Sequence, residues 1–241
     1  MSSKPTQLQV PSGLIFNQQD LFLLEVMNDC GFIQQSEKPF RLKSGIESRV
    51  YVQGRNDVTD NPQLGWLIGQ KTAEIIIANT GQDNRAPCAI GIPTAGNSIA
   101  SAASLVAYNN DMVTESGEYI SYRIMRETVK AHGAGANEWV NGKFDQDHVY
   151  WFIDNVVTDC GTKIEAADKL ISSGYPALES PWLIFVDRQQ GGIARMTAHG
   201  FRQIHVAYNL LDITYAMGEI GEWPKELVTL VEAEIAAHQF V

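Results

Sequence analysis

Two short, largely apolar runs constrain this chain more than any other feature: His148 to Ile153 (HVYWFI) and Trp182 to Val186 (WLIFV). Each is too short for a helix and rich in aromatic and β-branched residues, the pattern of a strand buried on both faces. Between them Ile164, Ala167, Leu170 and Ile171 recur at helical spacing, and Gly174 offers a stop. Strand, helix, strand at this distance is a βαβ unit, with parallel strands and a right-handed crossover.

The same alternation extends outward. Cys88 to Ile92 reads as a strand followed by a helix from Gly96 through Ala107, Ile120 to Met125 as another strand, and Gln203 to Ala207 as one more. Leu64, Leu67, Ile68 and Ile75 mark a helix ahead of these strands, and Leu227, Leu230, Val231 and Ile235 mark one after them. The expected class is therefore α/β, an open, mostly parallel sheet flanked by helices. Such a sheet binds ligands beyond the carboxyl ends of its strands, where the chain enters the βα loops. With 241 residues, 44% of them hydrophobic, the chain can bury one substantial core. The expected organisation is a small N-terminal hood region over residues 1–62 and a core α/β domain over 63–241, together one compact unit.

Charge narrows the partners. Eighteen basic and 28 acidic residues give a formal net charge of −10, which repels a polyphosphate backbone and offers no overall attraction to an anionic membrane surface. Neither nucleic acid nor membrane is expected as a partner. Small phosphates stay possible, because a helix N-terminus and a few placed cations bind them whatever the net charge. Cys30, Cys88 and Cys160 have neither metal-ligand nor disulfide-framework spacing, so they read as thiols in a reducing compartment. A soluble cytoplasmic protein is expected, since the first residues lack the apolar core of a signal peptide and no run approaches a membrane span. His132, His148, His199, His205 and His238 show no close metal-ligand spacing, and no structural zinc is expected.

The segment most informative about chemistry is Ile153-Asp154-Asn155-Val156-Val157-Thr158-Asp159-Cys160-Gly161-Thr162. It leaves a buried strand with an acid and an amide and enters a helix through a short polar turn. Backbone N–H groups of such a turn, the Thr158 and Thr162 hydroxyls and the helix dipole can together hold a phosphate. Asp154 and Asn155 can hold ribose hydroxyls. Taken in isolation, the same turn also fits an ordinary βα connection in which Asp or Thr caps the helix.

The run VYWFIDNVVTDCGTKIEAADKL resembles the phosphoribosyl-pyrophosphate motif of type I phosphoribosyltransferases, and Val186-Asp187-Arg188-Gln189-Gln190-Gly191-Gly192 resembles a segment of the orotate branch. Further matches lie at Leu42-Lys43-Ser44-Gly45 with Ser48 and Tyr51, at Gly91-Ile92-Pro93-Thr94-Ala95-Gly96 and at Lys130-Ala131-His132-Gly133, collinear from about Ser12 to Asp212. The resemblance implies a type I phosphoribosyltransferase-like fold and transfer of 5-phosphoribosyl from 5-phosphoribosyl 1-pyrophosphate to orotate, giving orotidine 5'-phosphate and pyrophosphate in pyrimidine nucleotide synthesis. It implies Lys43 on the pyrophosphate side, Tyr51 against the pyrimidine, Thr158 near phosphate and base, and Arg188 at orotate. The phosphate turn would use Thr158, Asp159, Cys160, Gly161 and Thr162, with Asp154 and Asn155 at the ribose. It further implies Mg²⁺ carried by the donor, and a homodimer in which a loop from Arg126 to His148, bearing Arg126, Lys130 and His132, closes over the neighbouring subunit's site. Without those flanking motifs the loop cations would read as a solvated surface.

The chain departs from that pattern at Asn155, Asp159, Cys160, Glu127 and Ala95. Asn155 replaces an acid, Glu127 stands where lysine is usual, and Asp159 puts an anion in the phosphate turn. Two other readings follow: a nucleotide-binding or regulatory homologue with weakened catalysis, or a phosphoribosyltransferase for another base.

Overall fold

The computed structural model describes residues 4–42, 45–53, 58, 60–81, 84–129 and 138–240. In chain order the elements are β1 (Gln7–Gln9), β2 (Ile15–Asn17), α1 (Gln18–Asp29), β3 (Ile33–Arg41), β4 (Glu47–Val52), α2 (Pro62–Thr80), β5 (Ala86–Gly91), α3 (Ala95–Asn109), β6 (Ser121–Ile124), β7 (His148–Val157), α4 (Gly161–Ser172), β8 (Pro181–Asp187), α5 (Gly192–His199), β9 (Gln203–Asn209), α6 (Leu210–Glu219) and α7 (Leu227–Ala237).

The centre is a five-stranded sheet in the order β6-β5-β7-β8-β9, every neighbouring pair parallel. The expected parallel α/β sheet is thus present, with the two apolar runs as its adjacent strands β7 and β8. Because strand side chains alternate, each strand feeds two cores. Trp151 and Ile153 of β7 and Leu183 and Phe185 of β8 pack with α1, α2, α3, α6 and α7, whereas Tyr150, Phe152, Trp182 and Ile184 pack with α4 and α5. One row of the second face runs Ile90, Phe152, Trp182 and Ile204 across four strands in register. Burying a side chain of this size contributes about 1.5–3 kcal/mol, so this double-sided pattern dominates the sheet's stability.

Several elements were not anticipated. Helix α1 begins with a reciprocal capping box between Asn17 and Asp20. The buried Asp20 then accepts from Lys71 of α2 at 2.6 Å and from the Tyr208 hydroxyl of β9 at 2.7 Å, tying three elements together. The antiparallel hairpin β3–β4 and the helices α5 and α6 are likewise additions. Strand β7 also runs four residues past Ile153, because its neighbour β8 continues the hydrogen-bonded ladder as far as Val157 paired with Asp187. Asp154 and Asn155 are therefore inside the strand, not beyond it.

The chain leaves β5 toward β6 on one side and resumes with β7 on the other, so the sheet changes direction between β5 and β7. A crevice opens at such a point. Three backbones meet there: Ile92 donates to the Ile153 carbonyl at 2.8 Å, and Gly96 donates to Ile92 at 2.9 Å. A methyl group on Gly91 would lie 2.1 Å from the Gly96 carbonyl, and one on Gly96 would lie 2.1 Å from the Ile153 carbonyl oxygen. Since both obstacles are backbone, Gly91→Ala and Gly96→Ala should each lower the unfolding free energy by about 3 kcal/mol or more, at the upper end of overpacking costs. Urea denaturation of the two variants measures this, and a loss of under about 1 kcal/mol would mean that the three segments can separate cheaply.

Candidate functional site

Above the β5–β7 crevice is a cavity of about 910 Å³, with Ile92 to Ala95, Asp154 to Val156, the turn at Thr158, Asp159, Gly161 and Thr162, and the β4 end at Tyr51 to Gln53 around it. Arg188 reaches it from the loop after β8. Its floor is the route from β7 into α4. Cys160, the residue before α4, is left-handed at φ 63, a conformation that lets the turn double back so that Gly161 and Thr162 open the helix toward the cavity. Cys160 makes no side-chain cap here, but Asp159 Oδ1 accepts from the Gly161 amide at 3.2 Å, so the first amide of α4 already meets a carboxylate.

Asp154 and Asn155 are 6% and 8% exposed. Asp154 Oδ1 accepts from the Asn155 backbone at 2.8 Å, and Asn155 Nδ2 donates to the Gln53 carbonyl at 3.2 Å, joining β7 to the hairpin strand β4. The other Asp154 oxygen meets Lys163, a residue the sequence reading passed over. Lys163 Nζ lies 2.6 Å from Asp154 Oδ2, donates to the Val156 carbonyl, and donates to Thr162 Oγ1 at 3.3 Å. At 5% exposure this ammonium is buried, yet it lines the cavity. A buried charge of either sign needs such a partner.

Across the cavity, Tyr51 packs on Phe40 with ring centroids 5.5 Å apart. Arg188, 2% exposed, is held from three directions. Nε donates to Gln190 Oε1 at 3.3 Å, Nη1 to the Val50 carbonyl at 3.0 Å, and Nη2 to Ser48 Oγ at 2.8 Å and Glu234 Oε1 at 3.0 Å. Both Nη2 hydrogens and the Nε hydrogen are thus engaged, and one Nη1 hydrogen has no partner among the described residues. Burial pulls the Arg188 guanidinium below its ordinary value, and Glu234 acts in the opposite direction. Glu234 also accepts from Gln190 Nε2 at 3.1 Å. The segment after α7 clasps the same loop: the Phe240 amide donates to the Gln190 carbonyl at 2.8 Å and Gln239 Nε2 to the Gln189 carbonyl at 2.9 Å. Gly191, at φ 90, makes this possible, because a Cβ there would sit 2.2 Å from the Phe240 carbonyl oxygen.

The cavity therefore brings together Tyr51, Asp154, Asn155, Thr158, Asp159, Gly161, Thr162 and Arg188 of the expected residues. Cys160 belongs to the turn only through its backbone. Its side chain is buried in the α4 core, where desolvation pushes the thiol up from its ordinary value. Arg126 does not line the cavity; its guanidinium donates to the Glu138 carbonyl at 2.8 Å and its amide to the Trp139 carbonyl at 2.7 Å, at the base of the expected mobile loop. Lys43, Lys130 and His132 lie outside the described residues. Among the described residues, no group of three or more His, Cys, Asp or Glu side chains is placed to hold a metal ion. With both Asp154 oxygens engaged and Asn155 uncharged, the strand end does not form a protein-held Mg²⁺ site.

No protein-family model matches the chain. It is 25% identical over 182 residues to an orotate phosphoribosyltransferase of Rhodopirellula baltica, covering 75% of this chain and 88% of that one. Among solved structures, it aligns with the orotate phosphoribosyltransferase of Francisella tularensis at a TM-score of 0.66 and 16% identity, covering 90% of this chain and 99% of that one. It aligns with the UMP synthase of Leishmania donovani at a TM-score of 0.70 and 21% identity, covering 90% of this chain and 42% of that longer one. With its parallel sheet in this strand order, its polar turn at the crevice and these relatives, the chain has the fold of the type I phosphoribosyltransferases and resembles orotate phosphoribosyltransferase.

Proposed function

We propose that the protein transfers 5-phosphoribosyl from 5-phosphoribosyl 1-pyrophosphate to orotate, releasing orotidine 5'-phosphate and pyrophosphate. The observation that carries this reading is that one cavity joins a phosphate-sized turn at a helix N-terminus to an aromatic and a guanidinium on the opposite wall. The 5'-phosphate fits the Thr158–Thr162 turn, where Gly161 and Thr162 begin α4 and the helix dipole favours an anion. The ribose fits against Asp154 and Asn155, and the diphosphate lies toward Pro93 to Ala95. The base fits between Tyr51 and the free hydrogen of Arg188 Nη1.

In the transfer, the bond from C1 of the ribose to the diphosphate oxygen breaks and a bond from C1 to N1 of the base forms, while the N1 proton passes to the departing diphosphate or to solvent. Positive character develops at C1 as the diphosphate leaves. Fixed groups on opposite walls hold the base and C1 in line, which supplies the rate through positioning and electrostatics without a covalent enzyme intermediate. Mg²⁺ arrives with the diphosphate in this reading and neutralises part of its charge. Arg126, Lys130 and His132 would act from a loop closing over the neighbouring subunit of a homodimer, with Lys43 on the diphosphate side. The setting is the cytoplasm, and no helix among the described residues is long and apolar enough to cross a membrane. Among the described residues, the cavity lining carries Asp154, Asp159 and Glu165 against Lys163 and Arg188, a balance that favours slow turnover or a binding role as the second reading.

A coupled assay for pyrophosphate release, with orotate, uracil and purines as competing acceptors, tests the proposal. Orotate should support release well above the other bases. Donor binding with no release for any base would instead establish the binding role.

The paired charges refine the expected effects of substitution. Removing Asp154 leaves a buried ammonium without its anion, so Asp154→Ala should cost about 3–5 kcal/mol of stability as well as ribose binding. Adding Lys163→Met should recover most of the stability but not the binding, as denaturation and calorimetry on the two variants would reveal. Glu234→Gln keeps a hydrogen-bond acceptor for Arg188 while removing a neighbouring anion. Its KM for orotate should fall about threefold to tenfold with kcat little changed, since charges several ångströms apart still interact at an effective dielectric of about 20. An unchanged KM would mean that Arg188 meets no charge on the base.

A further inference from the structure

The ammonium of Lys163 stands at the one carboxylate expected to meet the ribose, and nothing in the transfer described so far uses it. Its geometry is specific. It contacts Asp154 Oδ2 at 2.6 Å, the Val156 carbonyl, and Thr162 Oγ1 at 3.3 Å, and its side chain is 6% exposed while lining the cavity. By donating to Thr162 Oγ1 it leaves that hydroxyl's own hydrogen free to point at a bound phosphate oxygen. By donating to Asp154 it fixes the carboxylate beside the ribose position and occupies the place where a divalent cation would bind that carboxylate. The neighbouring Asn155 adds no second negative charge, so Asp154 is the one carboxylate here whose charge a cation must balance.

We infer that Lys163 is a positioning residue of the donor subsite, a built-in cation that orients Asp154 and Thr162 and takes over the electrostatic role of a carboxylate-bound metal beside the ribose. The inference rests on the phosphoribosyl reading above. Donor recognition at the ribose and 5'-phosphate then depends on the protein's own ammonium, and Mg²⁺ affects only the diphosphate end of the ligand. Replacing Lys163 by Met frees Asp154 Oδ2, so the variant gains a need for metal that the parent lacks.

Calorimetry with 5-phosphoribosyl 1-pyrophosphate, in EDTA and in Mg²⁺, tests this on the parent, Lys163→Met and Lys163→Arg. The parent should bind in EDTA within about threefold of its affinity in Mg²⁺, a difference smaller than one charged hydrogen bond. Lys163→Met should lose about tenfold or more in EDTA and recover much of that in Mg²⁺, whereas Lys163→Arg should stay near the parent, as loss and retention of a charge-assisted contact require. A purely structural lysine would give weakened binding that Mg²⁺ does not restore, and that result overturns the inference. Should Lys163→Met fail to fold, the parent alone decides: binding only with Mg²⁺ overturns the inference and leaves the proposed transfer intact. No binding by the parent under either condition overturns the phosphoribosyl reading itself.

Discussion

Where β5 ends alongside β7, the backbones of Gly91, Gly96 and Ile153 touch, and there is no space between them for a single carbon atom. This contact draws the start of α3 down onto β7 at Ile153 and holds the loops after β5 and β7 on either side of one crevice. The rest of the site is placed by it. The turn from Thr158 to Thr162 can face Pro93 to Ala95 only because the strands beneath are locked at that spacing, and the polar turn would otherwise be one βα connection among several. Interiors this tightly packed transmit position well, so a site built on them keeps its geometry.

Above the crevice the protein meets the difficulty of concentrating charge in a buried place, and it does so by pairing each charge before any ligand arrives. Asp154 has Lys163, and Arg188 has Glu234. These pairs hold side chains in one arrangement, which a flexible exposed lysine or arginine cannot do without losing rotamer freedom on binding. The cost is a weaker net field. A paired guanidinium attracts an anion less than a bare one, and a paired carboxylate stabilises a developing cation less, so preorganisation and raw electrostatic attraction are traded against one another here.

Much of this architecture was legible in the sequence because β7 and β8 carry an unbroken apolar signal that only a two-sided strand satisfies. The turn was legible because its residue types change abruptly from aromatic to polar. Lys163 was not, and the reason is a rotation of about one residue in the helical stripe. The apolar positions Ile164, Ala167, Leu170 and Ile171 suggest one face, but the buried face is Lys163, Ala166, Ala167 and Leu170, with Ile171 exposed. Two alanines carry little hydrophobic weight, so the isoleucines drew the stripe away from the lysine. Glu234 escaped for a similar reason: it follows Leu227 and Val231 on the inner side of α7, where a charge is read as solvent-facing until its partner is known. Helix α1 carries its own start signal in Asn17 and Asp20, but pairing of Asp20 with Lys71 and Tyr208 depends on residues far along the chain.

The two walls of the cavity also differ in how far apart along the chain their parts lie. The donor turn is nearly self-contained, since Lys163 bonds to Asp154, Val156 and Thr162 within the same strand–turn–helix unit. The base wall is assembled from afar: Arg188 bonds to groups 138, 140 and 46 residues away. Local contacts re-form quickly after thermal opening, while distant ones need the hairpin β3–β4 and α7 to be docked at once. On warming or in mild denaturant, the Arg188 wall is therefore expected to come apart before the phosphate turn. Partial unfolding would leave a species that still grips a sugar phosphate after it has lost its discrimination between bases.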